Sequence, residues 1–199
     1  MTLFDADRPL RVVVFFSGSA SGFRYLATND ERYGDDYRVV GGFTDDPDCP
    51  GVTHLENHGV PVESTDIEAF YAEHDAETGD MDVREAFDER TASLIGDFDA
   101  DVVLLSGYVW ILTEPILRSY PVLNVHPADL TIEDEDGDRV YVGADPVYDA
   151  IVAGETETRS SVHAVTADVD AGPVIVRSKP FEVHRPLVDS LIEFGADDA

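Results

Sequence analysis

Residues 11–16, Arg-Val-Val-Val-Phe-Phe, form a β-branched and aromatic run that stops at Ser17-Gly18-Ser19-Ala20-Ser21-Gly22. A run that is apolar at successive positions, rather than alternate ones, predicts a strand buried on both faces. Only a fold that lays other elements over both sides of a sheet can hold such a strand. The first half of the chain supplies them. A helix is expected near 23–28, a strand at 37–43, a short helix over 51–58 and a brief strand at 60–62. Asp45, Pro47 and Pro50 mark the loop between the second strand and the short helix. Residues 66–75 and 82–97 predict helices, the second with Val83, Ala86, Phe87, Leu94 and Ile95 near helical spacing. Residues 102–105 predict another buried strand. Strands that alternate with helices imply an α/β fold with a mostly parallel, Rossmann-like sheet.

The second half changes character. Residues 122–125 predict a strand, and 131–142 a protruding acidic hairpin. A helix is expected over 146–152, where Asp145 precedes a proline at the first turn. Residues 160–166 and 173–178 predict a closing pair of strands that make the C-terminal part antiparallel. The tail after Pro186 is expected to begin a helix.

The bulk numbers exclude several classes. A chain of 199 residues, 43% apolar, is long enough for one compact domain with a core. No apolar run approaches the length that crosses a bilayer. Residues 1–9 carry Asp5, Asp7 and Arg8 and lack a signal peptide's apolar stretch, so a cytoplasmic location is expected. The single cysteine, Cys49, excludes an internal disulfide and a cysteine-only zinc site. The net charge is −29, from 42 acidic and 13 basic residues, of which only Lys179 is a lysine. Acids spread over the whole chain disfavour nucleic acid and anionic membranes as partners. They also predict a salt-loving host, because salt screens the self-repulsion.

Three local features can carry chemistry. Gly18, Ser19, Ala20, Ser21 and Gly22 follow a strand and open a helix, where unpaired amides favour phosphate. Taken alone, the stretch also reads as a plain strand-to-helix turn. In Leu123-Asn124-Val125-His126-Pro127, side chains two apart share a face of the strand. Asn124 and His126 then meet at a C-terminal strand end, where open α/β sheets bind ligands. The other reading is a turn-capping asparagine and a satisfied core histidine. Asp170, in Val169-Asp170-Ala171-Gly172-Pro173, stands before a small-residue turn of a common kind. His54 and His58 have the spacing of a metal pair on a helix but lack a third ligand, and no metal site is expected.

Together these blocks resemble the formyltransferase family that uses 10-formyltetrahydrofolate, over about residues 11–180. Within it they are most similar to the branch that formylates phosphoribosylglycinamide in purine synthesis. Ser17 to Gly22 stand where the family reads Ser-Gly-x-Gly-Ser-Asn. Residues 82–88, Asp-Val-Arg-Glu-Ala-Phe-Asp, resemble the segment whose arginine holds the substrate phosphate, and Arg84 takes that role by resemblance. Residues 101–112 resemble the strand and loop beside the folate. The resemblance thereby assigns folate contacts to Tyr108, Val109, Trp110, Ile111 and Leu112, and also to Ala167, Asp168 and Val169. Ser161-Val162-His163 and residues 170–175 resemble the last two blocks of the pattern, and His163 is expected to order the site. Asn124, His126 and Asp170 inherit the catalytic roles.

The resemblance implies a single domain with a phosphate-binding half over 1–120 and a catalytic, folate-binding half over 121–199. It implies formyl transfer to a primary amine, phosphoribosylglycinamide first among them, without a metal. As partners it allows a homodimer or association with another purine-pathway domain. The same three polar residues would also serve a formyltetrahydrofolate hydrolase. Acyl transfer to a nucleotide sugar or a charged tRNA, and a non-catalytic folate- or nucleotide-binding regulatory domain, are further readings. The chain departs from the pattern at several places. Ala20 replaces a glycine, Gly22 an asparagine and Trp110 an arginine. Asp145 and Val147 replace histidines, residues 128–142 are rewritten, and the C-terminal helix is expected to be short.

Overall fold

A computed structural model describes residues 8–186, 188 and 189. The chain divides into two compact units, Met1–Asn124 and Val125–Ala199. Seven strands hydrogen-bond in the order β3-β2-β1-β4-β5-β7-β8. The architecture is the mostly parallel α/β sheet with antiparallel C-terminal strands that the sequence predicts.

The first unit is built on β1 (Leu10–Phe16), which pairs in parallel with β2 (Tyr37–Thr44) on one side and β4 (Val102–Leu105) on the other. Val13, Val14, Phe15 and Phe16 have no exposed surface. Each such burial contributes roughly 1.5–3 kcal/mol, which is why an unbroken apolar run is stable only in this central position. β3 (Val62–Ser64) flanks β2, and β5 (Val122–His126) flanks β4. The brief third strand therefore begins at Val62 rather than at 60. Val60 instead packs in a core cluster with Val12, Val14, Phe16 and Phe23.

Between these strands lie α1 (Ser21–Asn29), α2 (Pro50–Glu56), α3 (Ile67–Glu73), α4 (Met81–Ile95) and the single turn α5 (Glu114–Leu117). A 3-10 turn, Gly96–Phe98, follows α4. Asp66 and Asp80 cap α3 and α4, their carboxylates accepting from Ala69 N and from the amides of Asp82 and Val83. The buried stripe of α4 is Arg84, Phe87, Asp88, Thr91 and Ile95. Val83, Ala86 and Leu94 are only half-buried. Apolar spacing misplaces this face because Arg84 and Asp88 enter the interior as an ion pair 2.6 Å apart.

In the second unit, β7 (Ser161–Ala164) and β8 (Val174–Arg177) pair antiparallel, as do the short β6 (Glu157–Thr158) and β9 (Phe181–Glu182). α6 spans Pro146–Ala153 and follows Asp145, whose side chain makes no capping bond. The expected hairpin at 131–142 is present only as a minimal antiparallel turn, with backbone bonds from Val140 N to Ile132 O and from Asp134 N to Asp138 O. Its ladder is one bridge, Glu133 with Arg139, and the Asp134 carboxylate closes the turn by accepting from the amides of Asp136 and Asp138. Five acids between 133 and 138 oppose the close side-chain contact that longer pairing requires. The far end of this loop is anchored, because Tyr141 packs with Ala128 and Ala150. Residues 185, 186, 188 and 189 are helical, and the remainder of the expected terminal helix lies outside the described residues. Among the described residues no helix is long and apolar enough to cross a membrane.

Candidate active site

In the second unit, β5 ends on His126 and β7 carries His163, each almost fully buried. Between them stands Asp170. Its Oδ2 lies 3.4 Å from His126 Nδ1, and its Oδ1 lies 3.4 Å from His163 Nε2. The two rings are edge to face with centroids 6.3 Å apart. The Gly143 amide donates to Asp170 Oδ2 at 2.9 Å, and the Arg139 guanidinium donates to the Asp170 main-chain carbonyl. Asp170 has φ 52, in the left-handed region. The turn it opens packs against β7 so tightly that a Cβ on Gly172 would stand 1.8 Å from the Ala164 carbonyl oxygen. Glycine is required there by space alone.

Burial alone would raise the Asp170 carboxyl. Hydrogen bonds from His163 and the Gly143 amide, with the charges of His126 and His163, outweigh it and hold the carboxyl below its ordinary value. The acid is therefore an anion placed between two imidazoles. His126 Nε2 lies 2.8 Å from the Tyr141 carbonyl oxygen. A carbonyl only accepts, so Nε2 carries the hydrogen and Nδ1 is the nitrogen turned to the carboxylate. The site thus offers one N–H already directed at a carbonyl-type oxygen, with an anion on the opposite side of the ring.

Asn124 lies two residues before His126 on β5 and is half-buried. Strand alternation puts both side chains on one face, with the partly exposed Val125 on the other. Ala167, Asp168 and Val169 are exposed on the turn before Asp170.

The remaining candidates lie in the first unit. Ala20 is the residue before α1 and has φ 47, a conformation that costs an L residue about 1–2 kcal/mol. No side chain caps the first turn of α1, so its amides are left for solvent or an anion. Gly22 is close to the end of β4, where an added Cβ would stand 2.5 Å from Ser106 Oγ. The loop is held from α2, as the Gly51 amide donates to Gly18 O at 3.0 Å and His54 Nδ1 donates to Ser19 O at 2.8 Å. His58 in turn bonds the His54 carbonyl through Nδ1. Among the described residues no group of three or more His, Cys, Asp or Glu side chains is arranged to hold a metal.

Arg84 is 2% exposed. Its Nε donates to Ile111 O at 2.7 Å, and its Nη2 to Asp88 Oδ1 and to the Tyr108 hydroxyl. Its Nη1 has no hydrogen-bond partner. Burial pushes the Asp88 carboxyl up, against the Arg84 charge and the two Thr113 donors. Burial likewise raises the Tyr108 hydroxyl well above its ordinary value. Tyr108 and Leu112 point inward, while Val109 and Ile111 are 75% and 50% exposed. An extended loop that shows two apolar side chains to solvent is a surface suited to a flat apolar ligand.

Several parts of the site escaped sequence reasoning. His163, expected only to order the site, is a direct partner of Asp170, and its place two residues after Ser161 is the sequence signal that puts both on one face of β7. Arg139 and Tyr141 come from the rewritten loop and carry no pattern, whereas Gly143 stands just past it, where the resemblance resumes. Asp45, at the end of β2, is buried although the sequence marks it as loop.

Fold and geometry together describe an α/β protein with a buried imidazole–carboxylate pair at a strand end. The Formyl transferase family model matches residues 10–186, and the chain belongs to that family. It is 28% identical over 174 residues to the phosphoribosylglycinamide formyltransferase of Escherichia coli, covering 85% of this chain and 72% of that protein. It is also 28% identical over 116 residues to the formyltetrahydrofolate deformylase of Bacillus subtilis, covering 57% of this chain and 36% of that protein. Among solved structures, glycinamide ribonucleotide transformylase 1 of Geobacillus kaustophilus superposes with a TM-score of 0.72 at 25% identity, covering 94% of this chain and 90% of that one.

Proposed function

We propose that the chain transfers the formyl group of 10-formyltetrahydrofolate to a primary amine, with phosphoribosylglycinamide as the acceptor. The observation that carries this reading is the buried His126–Asp170 pair, with His126 Nε2 directed at a carbonyl oxygen 2.8 Å away. The Tyr141 carbonyl stands in for the formyl oxygen of the donor. The two are acceptors of the same kind.

The amine nitrogen attacks the formyl carbon and a tetrahedral oxyanion forms. With His126 protonated on both ring nitrogens, its Nε2–H and the Asn124 amide donate to that oxyanion, and the Asp170 anion sits against the charged ring on the Nδ1 side. The C–N bond to the folate nitrogen breaks, and the proton lost by the amine passes to that nitrogen through a water held by Asp170. The formyl folate is a substrate and leaves as tetrahydrofolate. In this reading residues 18–22 take the phosphate through backbone amides, and Val109 and Ile111 support the folate ring system. Arg84 contributes its unpartnered Nη1, a buried donor that otherwise costs about 1–3 kcal/mol. Ala167, Asp168 and Val169 line the folate on their exposed turn. In this reading the reaction runs in the cytoplasm of a salt-adapted cell, which the dispersed acidic charge supports.

The match to a deformylase favours a second reading, in which water replaces the amine and formate is released. One assay decides between them. The full chain in molar potassium chloride is given 10-formyltetrahydrofolate with phosphoribosylglycinamide, with other amines, or with no amine, and loss of the donor's absorbance is followed. Turnover that depends on phosphoribosylglycinamide is expected. Formate release at the same rate without an amine overturns transfer in favour of hydrolysis. Asn124→Ala is expected to slow turnover by roughly 10²–10³.

A further inference from the structure

At the C-terminal ends of β1 and β2, one buried carboxylate joins two loops of the first unit. Asp45, 7% exposed, accepts from Ser17 Oγ at 2.5 Å through Oδ1 and from Trp110 Nε1 at 2.8 Å through Oδ2. Ser17 Oγ also accepts from the Val109 amide at 3.2 Å, and the Ser17 amide donates to Gly107 O at 3.0 Å. Trp110 stacks on Tyr71, with centroids 6.5 Å apart and planes 25° apart.

We propose that Asp45 is a positioning residue that makes binding at residues 18–22 and binding at residues 108–112 cooperative, through Ser17 on one side and Trp110 on the other. The inference rests on the reading that the first loop takes the phosphate and the second the folate. Ser17 has one hydroxyl hydrogen and gives it to Asp45, so its lone pairs are what hold Val109. The bond to Asp45 has the length of a strong charge-assisted contact. No arginine or lysine pairs with this carboxylate among the described residues. A buried anion without a cation depends on its donors, and losing either one is heavily penalised. The two loops therefore cannot shift independently. A ligand that fixes the backbone after Ser17 also fixes the carboxylate, and through it the indole and the segment 107–110. The second ligand then meets a loop already ordered and binds more tightly, and by linkage the reverse holds equally.

The test is calorimetric titration of the full chain in molar potassium chloride with phosphoribosylglycinamide and with folic acid, which carries no formyl group to transfer. Each ligand is titrated alone and with the other saturating. In the wild type each is expected to tighten the other about tenfold. Ser17→Ala and Trp110→Phe, each checked for folding by circular dichroism, are expected to reduce that factor to about twofold or less. Loss of a direct contact with either ligand changes both dissociation constants equally and leaves the factor intact, so the ratio isolates the coupling. Trp110 is the only tryptophan. Its emission is expected to shift when phosphoribosylglycinamide alone is added to the wild type, and to stay fixed in Ser17→Ala. A tenfold factor that persists in both variants overturns the proposal. Binding of both ligands to the wild type without coupling removes the proposal and leaves the site reading standing. Binding of neither removes both.

Discussion

The guanidinium of Arg139 donates to the main-chain carbonyl of Asp170. One residue of a loop without family pattern thereby holds the turn that carries the acid of the proposed catalytic pair. A charged donor on a carbonyl is worth about 1.5–3 kcal/mol. Arg139→Ala is therefore expected to lower the free energy of unfolding by that amount. It should also lower kcat, since Asp170 is left to relax from φ 52. Urea unfolding and the transfer assay measure the two effects. An unchanged unfolding midpoint contradicts the anchoring role.

Asp170→Asn keeps the shape of the side chain and removes its charge. Turnover is expected to fall by roughly 10²–10⁴. Because the folded-state carboxyl is held below its ordinary value of about 3.9, its contribution to stability is fully present above that value. It is lost as pH falls through the lower folded value. Between pH 5 and the acid end, the wild type should lose more stability than Asp170→Asn. Parallel acid limbs in the two proteins, measured by unfolding in fixed salt, are the contrary result.

The loop proposed to take the phosphate and the helix α2 that holds it make opposite demands at two small residues, Ala20 and Gly51. Ala20→Gly relieves a left-handed alanine by about 1–2 kcal/mol. It gives back about 0.5–1 kcal/mol of chain entropy and about 0.8 kcal/mol of methyl burial. The expected change is within about 1 kcal/mol of zero. Gly51→Ala puts a Cβ 2.5 Å from Gly18 O and from the Phe16 ring. It is expected to cost about 1–3 kcal/mol and to weaken phosphoribosylglycinamide binding. Thermal unfolding and titration separate the two variants. Equal loss in both contradicts the geometry of the loop.

A net charge of −29 gives a strong salt dependence. Raising ionic strength from about 0.01 M to 1 M shortens the screening length from about 30 Å to about 3 Å. The thermal midpoint is expected to rise by about 5–10 °C, equivalent to roughly 2–3 kcal/mol. A flat midpoint across that range contradicts the salt-adapted reading.

The central sheet was legible because burial on both faces leaves a run such as Val12 to Phe16, which has few other homes. The face of α4 was not, since Arg84 and Asp88 cancel one another inside the core and look like surface charges in sequence. The shift of β3 to Val62 follows the same limit, because three residues hold too little pattern to fix a register. At the candidate site, Asn124, His126 and Asp170 stood out only because the related pattern places them together. His163 was visible as a block but not as a second partner of Asp170. Arg139, Tyr141 and Gly143 act mainly through backbone atoms or on backbone atoms, and such roles leave no mark on residue type.

The φ of 52 at Asp170 restricts which amino acids can occupy the position at all. Aspartate and asparagine enter the left-handed region readily, since a short polar side chain can bond locally there, whereas glutamate has no such advantage. Glutamate would also carry its carboxylate one methylene past the two imidazoles. The chain can therefore supply a negative charge here through one residue type alone, and Asp170→Glu should resemble a loss of the acid more than a conservative exchange.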